Sequence, residues 1–344
     1  MNRRIWLATA GIAILLGAVG VYFYFKRDAG SSSTVEFELD REIEIGSGIF
    51  SGIIFANNRF YVSFGSNQQV FVKEYDATFA DTGKQYKLTG DDIRVADHQM
   101  VFADNYFYLV HSIPPANALY LKKFDTGWNE VKSVPVVEGA SDGESTNDMF
   151  LYYADDILYV GSVVHTPKGQ IRIRKYDQDL KFKKEFDLTN VRLESGSSLI
   201  FRDEVFTIAS SDKFWNDSSL VIARYNENWE FLESKTISAV SEANERFPMG
   251  LLFEDDLYFV AYTHQTGEIS APPPGQMPED YGDLILKVFD SSWNLLGQVK
   301  ITDDLPPNSA NRVHLAWANG RIYAAYDTSD HEILVNEYVI KKAL

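Results

Sequence analysis

Six aromatic residues, Tyr75, Phe124, Tyr176, Tyr225, Phe289 and Tyr338, each close a short β-rich run, and they stand 49, 52, 49, 64 and 49 residues apart. This period constrains the fold more than any other feature of the 344 residues. A unit that short cannot bury its own apolar face and must stack on copies of itself. The residue after the aromatic is Asp76, Asp125, Asp177, Asn226 or Asp290, with Val339 the exception. Each repeat also carries an earlier polar pair ahead of an apolar–aromatic run. These pairs are Asn57-Asn58, Asp104-Asn105, Asp155-Asp156, Asp203-Glu204, Asp255-Asp256 and Asn319-Gly320. Pairs of that composition between β-rich runs are tight-hairpin signals. In four repeats another aromatic follows the closing residue: Phe79, Trp128, Trp229 and Trp293.

Repeats of about 50 residues with four short strands each predict an all-β, six-bladed β-propeller. In the third repeat the order is an inner strand at Phe150–Tyr153, a tight turn, a second strand, a loop, a third strand at Ile171–Tyr176, and an outer strand at Phe182–Leu188. The sixth repeat has no outer strand, because the chain stops at Leu344 soon after Tyr338. At the other end Val35–Ile45 alternates as a strand without a hairpin mate. Surplus and deficit match, so this N-terminal strand is expected to close the ring and remove an open sheet edge. Composition agrees with a turn-dense β protein: 45% hydrophobic, 14% aromatic, 22 Gly and 11 Pro.

On the blade pattern, residues 35 to 344 resemble the six-bladed β-propeller superfamily, which includes sialidase-like and other carbohydrate-active members. The S-x-D-x-G-x-x-W turn box of the sialidases is absent from every blade, and so is a G-H…W-D signature. The resemblance therefore implies the fold and, by analogy, a binding role.

Ahead of the propeller, Ile5 to Phe25 is 21 residues without a charge, flanked by Arg3-Arg4 and Lys26-Arg27. As a helix it is roughly 31 Å long, enough to span a bilayer's hydrocarbon core. It ends in Val21-Tyr22-Phe23-Tyr24-Phe25, an interfacial aromatic cluster, rather than in an A-x-A-like cleavage site. The reading is an uncleaved transmembrane signal-anchor over residues 1–27, a tether over 28–34, and a propeller on the extracytoplasmic side of the cell membrane. With the four flanking basic residues set aside, 28 Lys and Arg face 49 Asp and Glu, a net of −21. Such a domain is repelled by nucleic acid, so the partners expected are an envelope glycan or protein, with the membrane met through residues 5–25. The absence of cysteine excludes disulfides and thiolate chemistry.

The loops that enter the inner strands of a propeller converge at the channel mouth. Here they hold Arg94, His98, Asp148, Glu194, Glu245, Arg246, Arg312 and His314. Convergent polar groups of this kind fix a ligand's orientation, so these residues are the candidate ligand site. Arg246 and Arg312 suit an anionic group, and Trp215 and Tyr281 are candidate aromatic platforms. Asp148, Glu194 and Glu245 stand at comparable places in three successive blades, which makes them the catalytic candidates if the chain is a glycoside hydrolase. His165 and His264 occupy equivalent loops in non-adjacent blades, and their spacing does not make a metal site. No cofactor is implied, since phosphate-binding loops and the nucleophile-elbow motif are absent from the sequence. Blade five carries a long insertion, Thr263–Gly282, stiffened by Pro272-Pro273-Pro274, which reads as a lid or recognition arm over the mouth. If the anchor is retained, N-terminal sequencing of the mature protein will start at the chain's own beginning. A start between Gly20 and Ser33 would mean a cleaved signal peptide instead.

Overall fold

The computed structural model describes residues 35–90, 97–113, 118–138, 144–164, 170–193, 195–213, 218–238, 243–266, 282–306 and 309–342. Among them 24 strands form six four-stranded antiparallel sheets, each running in simple up-and-down order from the channel outward. Blade one is Ile49–Ala56, Arg59–Ser66, Gln69–Asp76 and Asp81–Lys87. The inner strands of blades two to five are His98–Ala103, Glu144–Ala154, Ser195–Arg202 and Ala243–Glu254. In blade three the third and outer strands are Gln170–Asp177 and Phe182–Leu188, as the repeat pattern predicts.

Blade six runs Ala310–Ala318, Arg321–Thr328 and Glu332–Lys342, and its outer strand is the N-terminal segment Val35–Ser47. That segment pairs antiparallel with Glu332–Lys342, from Val35 opposite Lys342 to Ser47 opposite Glu332. The two ends of the chain are thus joined by one sheet. The interblade side of the joint is also fitted closely. A Cβ on Gly297, in the outer strand of blade five, would lie 2.1 Å from the Val35 carbonyl oxygen. The residues expected to form an anchor and a tether lie outside the described residues. Among those described, no helix is long and apolar enough to cross a membrane.

The six polar pairs are the hairpin turns between inner and second strands. Both residues of each pair have positive φ, from 49° and 58° at Asn57-Asn58 to 54° and 73° at Asn319-Gly320. This is the type I′ geometry whose twist matches that of the flanking strands, and Asn, Asp and Gly tolerate it best. The turns between third and outer strands are equally regular. The side-chain oxygen of the closing residue accepts from the backbone N–H groups two and four residues on, at Asp76, Asp125, Asp177, Asn226 and Asp290. That bond pattern holds the intervening Phe79, Trp128, Leu180, Trp229 and Trp293 at φ between 56° and 65°. Each is turned into the gap between blades. Trp128 stacks on Phe107 at 4.0 Å, Trp229 on Phe206 at 4.1 Å and Trp293 on Tyr258 at 4.2 Å. The core is accordingly divided into six apolar clusters, one at each blade interface.

Deleting residues through Ile45 removes the buried side chains of Val35 and Ile45 and bares the edge of Glu332–Lys342. At about 1.5–3 kcal/mol per buried aliphatic side chain, a chain starting at Gly46 should lose at least ~3 kcal/mol. Its melting temperature, compared with that of a chain starting at Ser31, checks this.

Candidate functional site

The inner strands run parallel to one another around the channel, and near their N-terminal ends most of them are interrupted at the same level. Register breaks fall between Ile49 and Gly52, Glu144 and Met149, Ser195 and Ser197, Arg246 and Gly250, and Asn311 and His314. Within four of these bulges one residue takes a left-handed conformation: Phe50 at φ 54°, Gly196 at 47°, Phe247 at 48° and Arg312 at 46°. Glycine accepts this freely, and it is needed at Gly196, where a Cβ would lie 2.5 Å from the Phe247 Cα. For Phe and Arg it costs roughly 1–3 kcal/mol each, a strain that persists only where the surroundings enforce it. Bulges re-aim side chains. Here they aim Phe50, Phe247 and Arg312 over the end of the channel.

The result is a buried layer of charge and aromatic rings. Arg312, only 7% exposed, pairs with Asp97 of blade two, reaching past blade one to do so. Its guanidinium carbon lies 4.5 Å from the Phe50 ring centre and 5.5 Å from that of Phe247, within cation–π range of both. Arg246, 1% exposed, sits 4.6 Å over the same Phe247 ring. The two guanidinium groups thus lie against one aromatic ring, and Arg312 also pairs with a carboxylate. Asp327, on the second strand of blade six, is fully buried beside them. Burial pushes its pKa up to about 7, against the opposing pull of Arg312 and of the Phe50 and Ser51 backbone amides.

Three histidines pack around this layer. His98 and His111 face each other across the first hairpin of blade two, and His314 follows Arg312 by two residues. Burial drives the pKa of His98 and His111 down to about 3 and that of His314 to about 4. Neighbouring positive charge adds to this, from Arg312 for His98 and His314 and from Lys122 for His111. Neither ring nitrogen of His98 has a hydrogen-bond partner among the described residues, and His111 stacks on Tyr120.

Glu245 lies at the same level, on the blade-four side of blade five. Its Oε1 accepts from the Tyr262 hydroxyl at 3.0 Å and has the Lys287 ammonium at 3.6 Å and His264 Nδ1 at 4.0 Å. Its Oε2 is buried and has no hydrogen-bond partner among the described residues. Burial and the adjacent carboxylate raise the Tyr262 pKa, so the phenol stays protonated and donates. The insertion in blade five begins later than its sequence suggests. Thr263–Thr266 continue the second strand, paired with Ala243–Arg246, so His264 is a strand residue that faces Glu245 rather than a free loop histidine.

Of the candidates named from sequence, His98, Glu245, Arg246, Arg312 and His314 are strand residues brought to one end of the channel. Asp148 lies in the inner strand Glu144–Ala154. Arg94, Glu194, Trp215, Tyr281, His165 and residues 267–281 lie outside the described residues. Sequence reasoning passed over Asp97, His111, Asp327, Phe50 and Phe247. The two phenylalanines did leave a trace: each is followed closely by a glycine, Gly52 or Gly250, in a segment that breaks the strand alternation. Among the described residues no group of His, Asp and Glu is arranged to hold a metal ion.

Beneath the layer the channel opens into a cavity of about 620 Å³. Gln99, Ser198, Met249 and His314 bound its inner end, Ile53, Phe150, Leu199 and Leu251 its walls, and Arg202, Asp203 and Glu254 its rim. Among the described residues those at the inner end are buried, whereas Arg202 and Asp203 are exposed at the face that carries the I′ hairpins.

No protein-family model and no curated protein sequence matches this chain. Among solved structures, one similar to it is a subtype N10 neuraminidase-like protein of A/little yellow-shouldered bat/Guatemala, with a TM-score of 0.55 at 9% identity over 90% of this chain and all of the other. Xylan β-1,4-xylosidase from Bacillus halodurans gives 0.48 at 11% identity, over 75% of this chain and 56% of its own. The α-L-arabinofuranosidase of Fusarium graminearum, bound to an iminosugar inhibitor, gives 0.49 at 13% identity, over 73% and 82%. The first likeness shows the six-bladed fold alone, and the other two are too distant to carry argument.

The histidines set a pH dependence. Each is neutral in the fold with a pKa below the 6.5 of the unfolded chain, so the unfolded state binds more protons as the medium is acidified. Their contribution is complete above pH 6.5 and is lost as pH falls toward 4 and then 3. Asp327 acts oppositely: its contribution is complete below pH 3.8 and is lost as pH rises through about 7. Three groups against one leave the protein less stable at pH 4.5 than at pH 7. His111→Phe, which removes a buried titrating ring, should flatten that slope in chemical denaturation measured at both pH values.

Proposed function

We propose that the chain is a membrane-anchored, extracytoplasmic propeller that binds a glycan or protein ligand of the cell envelope at the channel mouth. The observation that carries this reading is the layer of Phe50, Phe247, Arg246 and Arg312. Backbone strain is accepted at three of these positions to place rings and guanidinium groups at one spot. Strain of that kind gathers at ligand sites and is not needed to close a propeller. Asp148, at the start of the blade-three inner strand, and the sequence candidates Arg94 and Glu194 complete this reading as further ligand-binding residues. Anchoring rests on the uncharged run from Ile5 to Phe25.

The competing reading is a glycan-processing enzyme that uses Asp148, Glu194 and Glu245. It is favoured by one feature, the buried Glu245 carboxylate with Tyr262, His264 and Lys287 gathered on one oxygen and, among the described residues, no hydrogen-bond partner on the other. Such hydrolysis needs a second carboxyl about 5–10 Å away. Asp97 and Asp327, the fully buried carboxyl groups of the mouth layer, instead flank Arg312.

Binding of envelope glycan fractions and candidate partners is measured for wild type, Arg246→Ala and a variant lacking Glu268–Glu279. The expected result is at least a tenfold loss of affinity in both variants with the fold intact by circular dichroism. Unchanged affinity in both would move the site to another face. Release of reducing sugar by wild type, abolished in Glu245→Gln, would establish the enzymatic reading instead.

A further inference from the structure

We infer that the central channel is a second binding site, reached from the hairpin face, for a linear aliphatic oligoamine. The cavity is about 620 Å³, the size of a small-molecule site, and its two ends differ in chemistry. Among the described residues Arg246, Phe247 and Arg312 are buried at the inner end while Arg202 and Asp203 at the rim are exposed, so access is taken to be from the hairpin face.

The channel wall is mixed in a particular way. Each inner strand pairs with its own blade on one side only, so six strand edges face the channel, and side chains cover part of them: Gln99 bonds Met149 O and Leu151 N, and the Ser198 hydroxyl donates to Pro248 O. Between these edges stand methylene and methyl surfaces, among them Ile53, Ile54 and Leu251. A purely apolar guest would strip water from the backbone edges without replacing its hydrogen bonds, at a cost for each group. A chain of methylene segments interrupted by ammonium groups matches both features: the ammonium groups donate to carbonyl oxygens and the methylenes lie on the aliphatic side chains. From His314 to Ala318 the wall extends roughly 13 Å at ~3.3 Å per residue, room for a six-carbon diamine laid along the axis.

The rim selects for positive charge. The six I′ hairpins around the opening carry seven carboxylates. The cations beside these turns are already paired: Arg202 with Asp203 at 3.1 Å and Asp256 at 3.2 Å, Arg59 with Glu74 and Arg321 with Glu337. Glu254 stands half-buried at the threshold, its carboxyl pKa raised by desolvation and by Asp255 beside it. Clefts lined by one sign of charge concentrate the opposite ion.

The site does not depend on the mouth-face reading, and the test separates the two. The full-length chain is titrated calorimetrically with hexane-1,6-diamine, spermidine and hexane-1,6-diol at physiological ionic strength. One saturable site per chain is expected for both amines, with the diol at least tenfold weaker. Glu254→Gln should weaken diamine binding about three- to tenfold. Ile54→Trp, which narrows the channel, should weaken it more than tenfold, and Lys84→Ala on the outer strand of blade one should change it less than twofold. Diamine affinity unchanged in Ile54→Trp, or several weak equivalent sites that the surface variant Glu227→Gln lowers as much as Glu254→Gln does, would overturn the proposal. Should Ile54→Trp not fold, unchanged affinity in Glu254→Gln overturns it alone.

Discussion

Everything in this propeller hangs on the pairing of Val35–Ser47 with Glu332–Lys342. The six blades hold one another through interface clusters that are individually modest, and an open ring would leave two sheet edges and two half-formed clusters. Joining the chain's ends in one sheet converts a linear stack into a closed one, so no blade is terminal. The joint is fixed by more than backbone. Arg41 and Arg321 both reach Glu337, and Phe37 packs edge-on to Tyr338. Val35 itself belongs to the blade five–six cluster, so the first described residue packs against the last interface.

Closure also creates the channel, and the channel is where charge is buried. Arg312 and Asp97 are 215 residues apart in sequence and meet only because blades six, one and two are held around one axis. An ion pair desolvated this far contributes little net stability, but losing one partner is expensive. Its value is positional: it holds the Arg312 guanidinium against the bulged Phe50 and Phe247 at one end of the channel. The neutral histidines beside it fit the same setting, since a layer that already holds two guanidinium groups disfavours further protons.

The two faces of the ring are thus physically different. The mouth face has strained inner-strand ends, buried charge and variable connections, while the hairpin face has six near-identical I′ turns, exposed carboxylates and an open cavity. Both follow from the direction of the inner strands. Every one begins at the mouth, where the chain arrives from the outer edge of the preceding blade by a loop free to vary. Every one ends in a two-residue turn with no such freedom.

What the sequence determined by itself was the local and the repeated. The polar pairs at positive φ, the Asp-x-x-aromatic turns, the strand order and the exchange of the N-terminal strand into blade six were all legible, because each depends on residues close together or on a period. The sequence also put His98, Glu245, Arg246, Arg312 and His314 together at the starts of the inner strands. It placed them in loops because polar residues interrupt the strand alternation there. Only the tertiary structure decided that these interruptions are bulges within strands, and that the arginines turn inward over Phe247. The same is true of the meeting of Arg312 with Asp97 and Asp327, and of the burial of Arg246, Phe247 and Arg312 at one end of the channel while Arg202 and Asp203 stay exposed at the other. Those outcomes rest on contacts between blades, and a repeat tells where blades are without telling which side chains meet across the axis.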